Sequence, residues 1–337
     1  MATQARPTDD RTGPSDPSVG VPHRATSGPG PRLVVACLVL LCAIWGSTYL
    51  VIRESLHDLP PFTSAGIRFA IAGSVFALLA PRLGRREGGA RPTLALTACM
   101  GFLNVALAYG IVYWSETVLP SGLVSVLWSV YPMFLALSGH AFLPAERLAP
   151  LQWFGLFVGF AGVYLLFRTD VASIGPEAIP AATILLGSPL AVTIGTTILK
   201  RHAGETSSVL LNRNGMLLGA GLLLAFGRLV EPQAELTWSP RAIASVAYLV
   251  VMGTVVTFGL YYWLMRHAPA TTLSLIAYVI PVVALTLGTT LAGEPLHGST
   301  LLGSAVVLIG LAFVHRGRRR TRASDAHHGG ETDMARS

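Results

Sequence analysis

Apolar residues in this chain come in long unbroken runs rather than in alternation with polar ones. Ten runs stand out, at 33–52, 62–80, 93–114, 120–143, 150–167, 178–199, 208–227, 242–264, 269–291 and 298–315. A bilayer core of about 30 Å is crossed by roughly 20 helical residues, so each run has the length of a membrane span. Continuous runs also argue against a barrel, whose strands alternate apolar and polar positions. The sixth run is interrupted by Pro180 and Pro189, and the seventh opens on Asn212, Arg213 and Asn214. With short connections throughout, the pattern predicts an all-α integral membrane protein: ten transmembrane helices in one bundle, with no soluble domain inserted.

Composition sharpens this. Hydrophobic residues are 52 % of the 337 and charged residues only 12 %, about half the share usual in soluble proteins, and mean hydropathy is +0.58. The net charge of +7 could suggest nucleic acid, but Arg82, Arg85, Arg86 and Arg91 lie between two runs, and Arg316, Arg318, Arg319, Arg320 and Arg322 follow the last one. Basic residues at the ends of apolar spans set topology, so no nucleic-acid partner is expected. With the N-terminus inside, eighteen Lys and Arg fall on the cytoplasmic side and four on the other. Both termini are therefore expected in the cytoplasm of a multi-pass protein of the cell (plasma or inner) membrane. Residues 1–31 read as a disordered cytoplasmic tail, too long and too mixed in charge for a signal peptide, so no cleavage is expected. Residues 316–337 read as a basic, disordered tail. Cys37, Cys42 and Cys99 lie inside apolar runs without CxxC spacing, which predicts neither disulfide nor metal site. No cofactor is expected.

The second half of the chain repeats the first. YGIVYW at 109–114 recurs as FGLYYW at 258–263, 149 residues on. The same shift lays Pro120, Ser125 and Pro132 on Pro269, Ser274 and Pro281, and Gly46-Ser47-Thr48 on Gly195-Thr196-Thr197. At a shift of 148, Glu146, Leu148, Gly155 and Gly162 meet Glu294, Leu296, Gly303 and Gly310. The second and seventh runs match poorly, with Gly66 over Gly215 as the one anchor. Two five-helix units follow, 32–168 and 178–315. Because five is odd, they enter the membrane in opposite directions, a construction typical of secondary transporters.

The segments WGSTYLVIRESL, RFAIAG at 68–73, the Tyr-rich third run followed by LPSGLVSVLWSVYPMFLAL, Glu146, and GLFVGFAGVYLL resemble the EamA-type family of the drug/metabolite transporter superfamily. The resemblance covers about 33–315. It implies two inverted five-helix halves around a central cavity and transport of small metabolites, with substrates differing among members.

Several residues are expected to line such a passage. Trp45, Thr48, Tyr49 and Ile52 share one helix face, and their polar atoms would be costly against lipid. An interfacial aromatic belt is the competing reading, although Trp45 is deep for one. Gly46 permits close approach of a neighbour. Tyr109, Tyr113 and Glu116 recur at i, i+4 and i+7, as do Ser121, Ser125 and Trp128 with Pro132. Tyr262, Ser274 and Tyr278 are their second-half counterparts in the cavity set. Pro132 and Pro281 free the carbonyls of Trp128 and Ala277 and, with Gly46 and Gly195, are candidate gating or helix-break positions; simple packing kinks are the alternative. Arg68 either snorkels to its interface or draws an anionic group into the cavity, while Arg213 is expected to snorkel. Asn104 is expected to hydrogen-bond between helices, with cavity contact as the alternative. His140 reads as a satisfied packing residue. Since Glu116, Glu146 and Glu294 lie at span ends, no central carboxylate supports proton antiport, and the coupling mode stays open. Gly155/Gly159 and Gly215/Gly219 permit close helix packing, and a homodimer stays open as an assembly.

The expected activity is alternating-access transport of a small organic molecule, such as an amino-acid-like compound or a drug, with export favoured. A passive facilitator of the same fold remains an alternative. An intramembrane enzyme would need a nucleophile with its base, or clustered carboxylates and histidines. No HExxH or GxSxG motif occurs, and no catalytic residues are expected.

Overall fold

The computed structural model describes residues 30–142, 147–268, 270–273 and 275–334. Its helices in chain order are α1 (Pro31–Ser55), α2 (Pro61–Glu87), α3 (Leu94–Ser115), α4 (Ser121–Phe142) and α5 (Pro150–Ile174) in the first half. The second half has α6 (Ala178–His202), α7 (Ser208–Val230), α8 (Pro240–Met265), α9 (Ile276–Leu291) and α10 (Gly298–Met334). Among the described residues nine helices are long and apolar enough to cross a bilayer, and α9 is shorter. A turn of helix, Ala270–Leu273, precedes α9, and Pro269, Ser274 and Glu146 lie outside the described residues. The fold is that of an all-α membrane protein.

Local sequence starts most of these helices. Pro31, Pro61, Pro150 and Pro240 each open one, at the position where a missing N–H does no harm. Thr93, Ser207 and Ser239 cap three others by accepting from Leu96, Leu210 and Ala242 main-chain N–H groups. The prolines in α6 do not end it; the helix bends once, at Leu186. At the other extreme, α10 continues through the basic stretch to Met334, where the sequence suggested an irregular tail. Arg and Ala are good helix formers, and no proline interrupts them.

Helix contacts follow the repeat. α1 packs on α9 as α6 packs on α4, α1 on α8 as α6 on α3, and α3 on α7 as α8 on α2. The pairs α2–α7, α4–α9 and α5–α10 each join equivalent helices. A twofold relation between halves produces this set of pairs, including α2–α7, the pair whose sequences match least. The closest approach is α5–α10: a Cβ on Gly155 would stand 2.6 Å from the Gly310 carbonyl, and one on Gly162 would stand 3.0 Å from the Gly303 carbonyl. The backbones touch there because no side chain intervenes.

Cross-chain bonds also fix the direction of each half. Segments 56–60, 116–120, 231–239 and 292–297 share one end of the bundle, where Asp58 meets Thr237 and Glu294 meets Ser121. The opposite end, called here the terminal end, holds the start of α1 and the pairing of Ala90 with Glu205 and Ser207. The first half begins at the terminal end and the second at the far end, so the halves are inverted.

Two departures from regular helix matter for the site. α3 widens into a π-helical stretch at Met100–Leu107 and α8 does so at Val251–Val256, which overlap at the 149-residue shift. The prolines behave differently from one another. α4 breaks at Ser129–Val130, just before Pro132, whereas α9 runs unbroken through Pro281.

Candidate functional site

Arg68 occupies the middle of the bundle. It is 3 % exposed, so it does not snorkel. Nη1 donates to the Tyr113 hydroxyl at 3.4 Å, and Nη2 donates to the Gly253 carbonyl at 3.4 Å and Thr254 Oγ1 at 3.5 Å. The π-helical stretch explains the last two: Thr254 donates its own hydroxyl to the Leu249 carbonyl, five residues back, and Gly253 is left to turn its carbonyl toward α2. All three partners are neutral, and Arg68 Nε has none. The guanidinium also lies 5.3 Å from the Tyr109 ring centre, a cation–π distance, and Tyr109 packs edge-on against Phe69.

Around this centre the expected residues form separate groups. Thr48 is buried, bonded to the Trp45 carbonyl, and lies where a Cβ on Gly253 would meet it. Tyr49 packs against the core. Trp45 stacks obliquely on Tyr261 of α8, and Gly46 admits Val283 of α9. On the α4–α6 side, Trp128 Nε1 donates to Ser188 Oγ at 3.0 Å, Tyr131 bonds Thr196, and Ser138 bonds Thr197 at 2.8 Å. Ser125 is buried with an unbonded hydroxyl. Asn104 faces Gly195, but its Nδ2 makes no hydrogen bond, which overturns the expected interhelical bond from that amide; the glycine offers no side chain to receive it. Tyr278 meets His315 of α10. Arg213 is held by the neighbouring Asn214 side chain, and His140 accepts from the Leu148 N–H. The side chain of Tyr262 and all of Ser274 fall outside the described residues.

The far end carries what the sequence did not reveal: carboxylates that grip helix starts in the opposite half. Glu294, with its side chain 6 % exposed, accepts from Arg53 Nη1 at 2.8 Å and from the Ser121 and Gly122 N–H groups that open α4. Glu231 accepts from the Phe62 and Thr63 N–H groups at the start of α2, and Asp170 accepts from Ser299 and Thr300 at the start of α10. Helix N-termini attract negative charge, and each bond joins the halves. Asp58 adds a surface pair with Arg241 at 2.9 Å. The Arg241 hydrogen bond, then that of Ser239, holds the Asp58 carboxyl below its ordinary value. The terminal end has one such grip, Glu87 on the Ser208 and Val209 N–H groups of α7. A hollow of about 890 Å³ at the far end, between 56–62 and 230–237, contains none of the residues expected to line a passage.

Comparison with known proteins decides the family. The model of the EamA-like transporter family matches residues 32–168 and again 179–316. The chain belongs to the EamA-like transporter family. Among similar EamA-like and other transporters, the "Uncharacterized inner membrane transporter YedA" of Escherichia coli (strain K12) is 30% identical over 287 residues, 83% of this chain and 90% of that protein. The "Probable amino-acid metabolite efflux pump" of Salmonella typhimurium is 26% identical over 312 residues, covering 85% and 97%. A crystal structure with 18% identity superposes with a TM-score of 0.61 over 86% of this chain and 99% of that one, a likeness of fold alone. This EamA-like chain is accordingly a multi-pass membrane transporter of a small molecule.

Proposed function

We propose that the protein exports a small organic, amino-acid-like solute by alternating access, with both termini in the cytoplasm. Two inverted halves exchange inward-facing and outward-facing arrangements, and the solute path runs past Arg68, Tyr113 and the aromatic groups on α1, α4 and α8. The observation that carries the reading is the buried guanidinium of Arg68, bonded only to neutral oxygens at the junction of α2, α3 and α8. A solute carboxylate would supply the missing negative charge there. The packing supports a conformation closed at the far end: α1 packs on the first segment of α4, and among the described residues no comparable packing joins α6 to α9.

The test is counterflow in proteoliposomes with labelled small, branched, aromatic and acidic amino acids. Arg68→Ala should abolish counterflow of the solute that wild type carries. Arg68→Lys should not restore it, because an ammonium cannot replace the planar guanidinium fork. Unchanged counterflow in Arg68→Ala would overturn the assignment.

A further inference from the structure

Glu116 caps the end of α3, three residues beyond Tyr113. A carboxylate at a span end would ordinarily reach water, yet Glu116 is 3 % exposed and neither of its oxygens has a hydrogen-bond partner. An ionised carboxylate left like that is costly, and neutralisation is the usual escape. The groups that face it come from every side. α1 brings Tyr49 and Arg53, α2 brings Arg68, α3 itself brings Tyr109 and Tyr113, and the α9–α10 connection brings Glu294. α6 also packs on this part of α3, and its charged residues, Lys200, Arg201 and His202, stand in its last turn at the opposite end. Burial first, then the Glu294 charge, pushes the Glu116 carboxyl well above its ordinary value, against the weaker pull of Arg53 and Arg68.

Resting on the transporter reading, we infer that Glu116 is a proton-binding site that couples solute export to proton entry. The carboxylate takes one proton from far-side water to become a neutral acid, and it gives that proton back to water at the terminal side, so one proton moves in as solute moves out. Arg53 links this site to the gate. It stands within electrostatic reach of two carboxylates, and while Glu116 is neutral it stays on Glu294, which holds the start of α4. Once ionised, Glu116 competes for the same guanidinium, the Glu294 contact loosens, and the far end is free to open. Protonation from that side then lets Arg53 return and the end close. The arrangement couples charge at one residue to the position of α4 without any central carboxylate.

Counterflow and gradient-driven transport separate this inference from the one it rests on. In wild-type proteoliposomes, the amino acid that shows counterflow should also accumulate against its gradient when a pH difference is imposed. Glu116→Gln should keep counterflow, which needs no net proton movement, and lose the pH-driven accumulation; Glu116→Asp should recover part of it. Counterflow in wild type with no response to the pH difference, or pH-driven accumulation that survives in Glu116→Gln, overturns the proton site and leaves the transporter reading intact. Absence of counterflow for the whole panel overturns the transporter reading instead. An independent measurement on wild type covers a variant that does not fold. Dicyclohexylcarbodiimide, which modifies protonated carboxyls in apolar surroundings, should label Glu116 at neutral pH, with labelling lost in alkali. No label at Glu116, seen by mass spectrometry, overturns the inference.

Discussion

The two ends of the bundle are built from equivalent helices, yet they are held differently. At the far end three buried or half-buried carboxylates, Glu231, Glu294 and Asp170, each grip the start of a helix in the opposite half, and Arg53 reinforces one of them. At the terminal end, among the described residues, Glu87 grips α7 from an exposed position, beside a short main-chain pairing of Ala90 with Glu205 and Ser207. A symmetric scaffold with asymmetric fastening has a preferred state, and here that state is closed at the far end. The lesson is that the repeat sets which helices meet, while a few carboxylates set which end stays shut.

Three changes would break or sharpen that contrast. The largest effect belongs to Glu294→Ala, which removes the Arg53 ion pair and two main-chain bonds at the start of α4. Loss of such a charged cap costs about 2 kcal/mol, roughly thirtyfold in the closed-to-open ratio. A cysteine at Ser125, buried in the closed state, should react correspondingly faster with an impermeant maleimide applied to the far side. Unchanged reactivity would mean that Glu294 is not a fastening of this end. Glu87→Gln should act only at the terminal end. An exposed cap is worth about 0.5–1 kcal/mol, or roughly a three- to fivefold rise in hydrogen exchange at Ser208 and Val209, with the Ser125 cysteine reporting no change. The smallest effect is expected from Asp58→Asn. Because the folded-state carboxyl is held below its ordinary value, its contribution is complete above that ordinary value, about pH 4, and is lost as the pH falls through the lowered one. Wild type should therefore melt slightly above the variant near neutrality, and the two curves should converge in acid. A gap that stays constant with pH would show that the Arg241 pair contributes nothing.

The helix pattern and the repeat could be read from residues alone because both are local or periodic signals. Runs of apolar residues give spans directly, and the constant shift linking Gly46 to Gly195 and Pro132 to Pro281 gives the inverted halves. The α2–α7 partnership could not be read that way. It rests on Gly66 and Gly73 of α2 receiving Leu224 and Leu217 of α7, and on Glu231 meeting Thr63 across 168 residues. Neither contact has a sequence period. Arg68 posed a choice between water and the interior, which only the positions of α3 and α8 resolve. Glu116 was misleading for a related reason. A residue at the end of an apolar run is expected near water, but here α1, α2 and the α9–α10 connection close over it.

The widened turns of α3 and α8 carry a historical consequence. A π-helical turn holds one residue more than an α-helical turn, so each marks an insertion, and the two stand at corresponding places along the 149-residue repeat. Separate events would have had to strike the same depth twice. One event in a five-helix ancestor, copied when that gene doubled, accounts for both, which makes the extra residue older than the full-length protein that now uses it.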